Sequence, residues 1–526
     1  MRCSYVRQTD LPHTTRLAAD VSYHPDRCST FYRHPLRSLD SFRAAAAEIR
    51  MSAGQRAALI TALRVQNPES PALERLASPD TVAVATGQQV GLFSGPCYTV
   101  YKALHAARLA EWLTASGLPA VPVFWLATED HDFAEVNHVW VFNADHRPSR
   151  VESVRSAGAQ PVGRVALAAP PISELRAAME GLPFLDEVVA LVEEAYPPGA
   201  TLGAAFGSLL RKLLKRFDIL QLDPMLPQFR HLAAPAIRQA VEAAPELSVR
   251  VRERGRELAA AGYHAQVHVE EQTSLVFLLE NGQRLTLRRT GSDYIQNGRR
   301  FTGRELMDRA ADLSPNALLR PVVQDSMLPT VAYIGGAAEI AYLAQSAVLY
   351  DAVLGRMPVA VPRAGFTIVD QRSQKAMERF GLDLADFFHG EEALRQRIAA
   401  TLVPPAMAGA MRDAQAAVET ALEGMRTAMA GFDPTLVRAL DRGASKIRYQ
   451  LGKIQRKAGR EALVRDARAA RQAASLCGLI YPERHLQERL YSILPFLARH
   501  GLDLIGQIYE SLDLECADHR ILVVGE

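Results

Sequence analysis

Cysteine is scarce in this chain, with five in 526 residues: Cys3, Cys28, Cys97, Cys477 and Cys516. Their odd number and wide scatter argue against a disulfide framework, and no CxxC pair offers a zinc or dithiol-redox site. Cys97 alone lies in a candidate site loop, where a small packed thiol is the simplest reading. No apolar run approaches the ~20 residues that cross a bilayer. The opening MRCSYVRQTD lacks the apolar core of a signal peptide, so a cytoplasmic protein with no membrane partner is expected. Neither sign of charge prevails: 60 Lys and Arg against 58 Asp and Glu leave a net +2, unlike a nucleic-acid protein whose surface is dominated by basic residues. The phosphate fingerprints GxxxxGK(S/T) and GxGxxG are absent as well.

What is present centres on Thr86 to Asp132. Val82 to Ala85 is a short apolar run that reads as a buried strand ending at Gly87, where a glycine can turn the backbone sharply. An amphipathic stretch from about Tyr98 to Ser116 follows. A second apolar run, Val121 to Ala127, then delivers Thr128, Glu129, Asp130, His131 and Asp132 at its carboxyl end. Strand, glycine loop, helix and strand make a βαβ unit, whose polar ends belong at the ligand-binding edge of a parallel sheet. A second unit is expected further on: LLRPVVQDSMLPTVAYI from Leu318, the pair Gly335 and Gly336, a helix from about Ala337 to Leu354, and a strand reaching Val361 and Arg363.

Between and after these halves the pattern changes. Segment 1–150 holds an irregular N-terminal wrap and the first half. Segment 151–225 is a helical insertion returning to a core strand in FDILQLD, and 226–315 is a second insertion with β-hairpins. In the latter, Asn281-Gly282 and Asn297-Gly298 each sit between strand-like runs, the strongest short-range hairpin signal. Segment 316–380 carries the second half. In 381–475, Met407, Met411, Ala414, Val418, Ala421 and Met425 step by heptad spacing, as do Leu440, Ala444, Ile447, Leu451, Ile454 and Ala458. These predict an antiparallel helical arm, whose basic second helix reads as a solvated face. Segment 476–526 is expected to pack back on the core and bring Gln487 and Arg489 to the site. The fold class is therefore α/β: a Rossmann-like parallel sheet with a helical and an antiparallel β insertion and an α-helical coiled-coil arm.

Three clusters carry the chemistry. Thr86, Gly87, Gln88, Gln89, Gly95, Tyr98 and Lys102 form a glycine-bearing loop suited to an anion; a plain tight turn is the alternative. Glu129, Asp130, His131 and Asp132 gather acids around an imidazole able to take and give protons near neutrality. In an extended chain Glu129 and His131 would face one way, Asp130 and Asp132 the other; the acids alternatively cap the next helix. No zinc spacing is present, so no metal is expected. Arg320, Asp325, Gly335, Gly336, Glu339, Tyr342, Gln345 and Arg363 form the third cluster, with the arginines able to clamp a carboxylate.

TGQQVGLFSGPCYTVYKA, VPVFWLATEDHDFAEVNHV, LLRPVVQDSMLPTVAYIGGAAEIAY and LQERLYSILPFL, in that order, resemble the cysteine-adding enzymes of bacillithiol biosynthesis. The resemblance implies a ligase that condenses cysteine with glucosaminyl malate, dimerising through the arm. Its kinship with class I nucleotidyl transferases implies ATP as the activating co-substrate, although neither the HIGH nor the KMSKS peptide occurs here. The other readings are a nucleotidyl transferase for a different small carboxylate, and a coiled-coil scaffold with a vestigial site.

Overall fold

The computed structural model describes residues 2–153 and 158–525. By compactness the described chain divides into one unit of residues 2–144, 148–153, 158–368 and 486–524 and another of 145–147, 369–485 and 525.

The larger unit is built on a five-stranded parallel sheet: β1 (Val82–Gln89), β2 (Ala120–Ala127), β3 (Leu220–Leu222), β4 (Thr330–Gly335) and β5 (Val359–Pro362). The spatial order is β5-β4-β1-β2-β3. Val84, Val121, Phe124, Leu220, Val331 and Ile334 are all wholly buried, as a parallel sheet covered on both faces requires. From β1 the chain runs one way through helix Tyr98–Ala115 to β2, and from β4 the other way through helix Ala337–Val353 to β5. The order therefore reverses between β1 and β4, and such a switch point leaves a crevice beyond the strands' carboxyl ends.

The insertions follow from local chemistry. Helices Ile172–Ala178, Leu185–Ala195 and Leu202–Leu213 precede β3. An antiparallel sheet of Thr273–Glu280, Gln283–Thr290, Asp293–Gln296, Arg299–Phe301 and Leu313–Pro315 forms the second insertion. Asn281 and Gly282 have φ of 53° and 72°, Asn297 and Gly298 of 47° and 82°. These left-handed pairs match the twist of the strands they join.

Three expectations need correction. Gly87 does not end β1: the strand continues to Gln89, with Gly87 opposite Trp125 and Gln89 opposite Ala127. A Cβ on Gly87 would lie 2.9 Å from both the Cβ and the carbonyl oxygen of Trp125, so glycine is needed there for close approach rather than for a turn. The stretch after Leu318 does not re-enter the sheet at once. Arg320–Met327 is a helix with Pro321 in its first turn, and β4 starts only after Pro329. A short apolar run cannot distinguish the two by period alone. The N-terminal wrap includes a strand, Arg2–Val6, antiparallel to His519–Val524.

The smaller unit is helical. Pro405–Phe432 and Pro434–Arg465 form a hairpin joined at Asp433, whose side chain accepts the Thr435 N–H. Glu419 pairs with Arg448 through two 2.7 Å bonds and Gln415 with Gln455 at 3.1 Å, so partners diverge along the two helices as antiparallel packing demands. Among the described residues no helix is long and apolar enough to cross a membrane.

Candidate active site

A cavity of about 710 Å³ opens at the β1/β4 switch point, lined by residues from the carboxyl ends of β1, β2 and β4, from the antiparallel insertion and from Arg489. Of the sequence candidates it gathers Gly87, Gln88, Gln89, Tyr98, Lys102, Glu129, Asp130, His131, Arg320, Gly336, Glu339, Tyr342, Arg363 and Arg489.

One wall is acidic and imidazole-bearing. β2 ends at Ala127, so Glu129 to Asp132 lie beyond the strand, and the strict alternation of faces does not hold. Asp130 and His131 both line the cavity. Gln89 Nε2 donates to Asp130 Oδ2 at 2.7 Å and to Glu135 Oε2 at 3.1 Å, tying β1 to this turn. Burial would raise the Asp130 pKa, but Arg284, Gln89 and the His131 backbone N–H outweigh it and hold the carboxyl below its ordinary range. Glu129 is buried against Arg230 at 2.7 Å, and burial pushes its pKa up. Arg230 also donates to the carbonyls of Ala311 and Leu313, so this pair fastens the turn to the insertion. Asp132 is a correction: it does not line the cavity, and its side chain caps Phe133–Val136 by accepting the Glu135 N–H.

The opposite wall is a buried network. Lys102, 1% exposed, donates to the Gly87 carbonyl at 2.5 Å, to Gln88 Oε1 at 3.2 Å and to Glu339 Oε2 at 2.6 Å. Burial would raise the Glu339 pKa; Lys102, the Gly336 N–H and the Tyr333 hydroxyl more than offset this and hold it below the usual carboxylate range. Arg320 donates to the hydroxyls of Tyr333 and Tyr342, both at 3.1 Å. Arg363 is occupied by Glu488, which accepts from both its terminal nitrogens at 2.9 and 2.5 Å, so it is not free to clamp a second carboxylate. The Arg489 guanidinium has no hydrogen-bond or ion-pair partner among the described residues, and partial burial together with the charge of Arg363 lowers its pKa. Beside these cations the first turn of helix Ala337–Val353 lines the cavity with Gly336, Ala337 and Ala338. N–H groups of a first turn have no intrahelical acceptor and favour anions.

Six further candidates lie outside the cavity lining, each for a visible reason. Thr86 is buried and donates to the Ile334 carbonyl, linking β1 to β4. Gly95 (φ 61°) closes a turn after the left-handed Phe93 and Ser94, and that loop is spent on packing: the Phe93 N–H goes to the Tyr196 hydroxyl and Ser94 meets Ser492. It is therefore not an anion cradle. Asp325 is buried with Gln324 and the Tyr350 hydroxyl. Gln345 bonds both backbone groups of Val267, and Gln487 those of Ile368. Gly335 lies within β4, where a Cβ would come 3.0 Å from that of Glu339.

Arg284, Trp125, Tyr333 and Phe277 also line the cavity and were not singled out from the sequence. The Arg284 guanidinium lies 3.8 Å from the Phe277 ring centroid, donates to Ser314 Oγ at 3.1 Å and the Pro315 carbonyl at 2.9 Å, and reaches Asp130 at 3.3 Å. Nothing local marks it, because a hairpin strand more than 150 positions beyond His131 carries it. Among the described residues no group of three or more His, Cys, Asp or Glu has the geometry to hold a metal ion.

Two family models match the chain: "Bacillithiol biosynthesis BshC, N-terminal Rossmann-like domain" over residues 1–364 and "Bacillithiol biosynthesis BshC, C-terminal coiled-coil domain" over 366–524. Similar curated proteins bear the name "Putative cysteine ligase BshC". That of Solibacter usitatus is 66% identical over the full length of both chains, that of Koribacter versatilis 38% over 98% of each, and that of Salinibacter ruber 30% over 95% of this chain and 94% of its own.

Proposed function

The chain belongs to the BshC family of bacillithiol biosynthesis, and from that premise we propose that it is a ligase joining the carboxyl group of cysteine to the amine of glucosaminyl malate. The observation that carries this reading is the polarity of the cavity. Asp130, His131 and Glu135 stand on one wall, with Arg284 held against Asp130, while Arg489, Arg320 and the Gly336–Ala338 turn stand on the other, where Glu339 is matched by Lys102. Glucosaminyl malate is itself polar in this sense, an ammonium at one end and two carboxylates at the other. The carboxylates suit the cationic wall, with unpaired Arg489 the natural clamp, and the ammonium suits the acidic one.

Amide formation from a carboxylate and an amine expels the elements of water and is unfavourable without activation. ATP is the co-substrate we propose, its cleavage taking up that oxygen. The Gly336 N–H is taken by Glu339, and the Ala337 and Ala338 N–H groups of the same first turn fit an anionic phosphate group. The ammonium must lose a proton before it attacks, and the wall that carries Asp130, His131 and Glu135 is where an acceptor is at hand. The arm leaves heptad residues Met425, Ile447 and Ile454 between 42 and 57% exposed, which supports self-association through this hairpin as a homodimer.

Purified protein incubated with cysteine, glucosaminyl malate, ATP and Mg²⁺ should form the thiol-bearing amide, seen by mass spectrometry after thiol labelling. No amide under any nucleotide or metal condition would count against the proposal. Cysteine-independent nucleotide exchange with another carboxylate would move it to the nucleotidyl-transferase reading.

A further inference from the structure

His131 is the obvious base in this cavity, yet its surroundings argue for a different task. Its Nδ1 lies 3.2 Å from Nη1 of Arg284. A guanidinium has hydrogens to donate and no lone pair to accept with, so a proton on Nδ1 would set two donors head to head. The competing partner is Asp130 Oδ1, at 3.5 Å. That oxygen already accepts the His131 backbone N–H at 2.7 Å and Arg284 Nη1 at 3.3 Å, and 3.5 Å is long for a charge-assisted bond.

The guanidinium itself has little freedom to turn away. Ser314 Oγ, the Pro315 carbonyl and Asp130 take its hydrogens, and Phe277 stacks on its face. The same Phe277 ring lies 5.9 Å from the imidazole centroid. Nε2 of His131 makes no hydrogen bond among the described residues, and the ring, 34% exposed, lines the cavity.

We infer that Arg284 is a positioning residue that fixes neutral His131 in its Nε2–H tautomer, so that the imidazole meets substrate as a hydrogen-bond donor and not as a base. The oxygen it addresses is a carbonyl or carboxylate oxygen of the bound acid, where a preplaced donor counts most as negative charge develops. That task rests on the ligase reading above; the tautomer does not. Proton acceptance from the ammonium then falls to the carboxylates that share Gln89, Asp130 and Glu135.

The test is nuclear magnetic resonance on the full chain labelled with ¹³C,¹⁵N-histidine, recording two-bond ¹⁵N–¹H correlations at about pH 8.5, two units above the ordinary imidazole value. His131→Gln identifies the His131 pattern among the 14 histidines. The expected wild-type pattern is that of Nε2–H. Arg284→Met should shift His131 toward Nδ1–H, shared with Asp130, while Arg284→Lys, which keeps a cationic donor, should restore the wild-type pattern. An Nδ1–H pattern in the wild type overturns the inference, as does an unchanged His131 pattern in Arg284→Met. Should Arg284→Met fail to fold, the wild-type and Arg284→Lys spectra still decide. Loss of the ligase reading leaves all these spectra as they are, so the two can fail separately.

Discussion

The two βαβ halves share a topology and look alike in sequence, but they spend their glycine loops differently. In the first, Val90 to Gly95 turns through left-handed Phe93, Ser94 and Gly95 and is buried, so its backbone serves the core. In the second, Gly336 leads directly into a helix whose first turn opens on the cavity. The loop of the first half thus stays out of the site, to which its flanks contribute Gly87, Gln88, Gln89, Tyr98 and Lys102, whereas the loop of the second half itself lines the cavity. Glycine before a helix is therefore no evidence of an anion site until the direction of its N–H groups is known.

The sharpest way to break this division is at the bond that joins the halves. Lys102→Met leaves Glu339 without its cation and should cost about 3–5 kcal/mol, the usual penalty for removing one partner of a buried pair. Urea denaturation measures it. Adding Glu339→Gln should recover much of that stability without recovering turnover.

Acid is the next probe. Burial, with Arg520 nearby, holds His105 at about 3, and burial holds His519 at about 4, against an ordinary 6.5. The unfolded chain therefore binds protons at these positions before the folded one does. Their contribution to stability is complete above about pH 6.5 and is lost as pH falls from there toward about 4 for His519 and about 3 for His105. Denaturation midpoints should drop over that window, and a flat profile would show that these rings are not held neutral.

Gly87→Ala and Gly336→Ala sharpen the comparison directly. At Gly87 the new methyl would meet Trp125 at 2.9 Å, and a loss of about 1–3 kcal/mol is expected. At Gly336 the nearest atoms are 3.4 and 3.7 Å away, so stability should change by less than about 1 kcal/mol, with any effect appearing in substrate KM. The smallest effect belongs to the arm: Arg448→Ala removes an exposed pair with Glu419 and should leave turnover unchanged.

Much of the architecture was legible because its signals are local. The Asn-Gly turns specify their hairpins by backbone preference, and the apolar runs of β1 and β2 can only be buried strands in a βαβ setting. The helix at Arg320–Met327 was not legible, since its apolar residues are too few to show a period. Site residues divided in the same way. Asp130, His131, Lys102 and Glu339 sit at strand and helix ends that the pattern places at one edge. Asp325, Gln345 and Gln487 look equally polar in sequence, but what separates them from the site is tertiary: each is used up on a buried backbone or hydroxyl partner. Arg284 reaches the site only because the second insertion folds over it.

The cavity between β1 and β4 is where the proposed chemistry takes place. A crystal structure of the protein soaked with glucosaminyl malate tests it most directly. The prediction is density in that cavity, with malate carboxylates on Arg489 and the amine toward Asp130 and Glu135. Density for the sugar malate elsewhere, with this cavity empty, would contradict it.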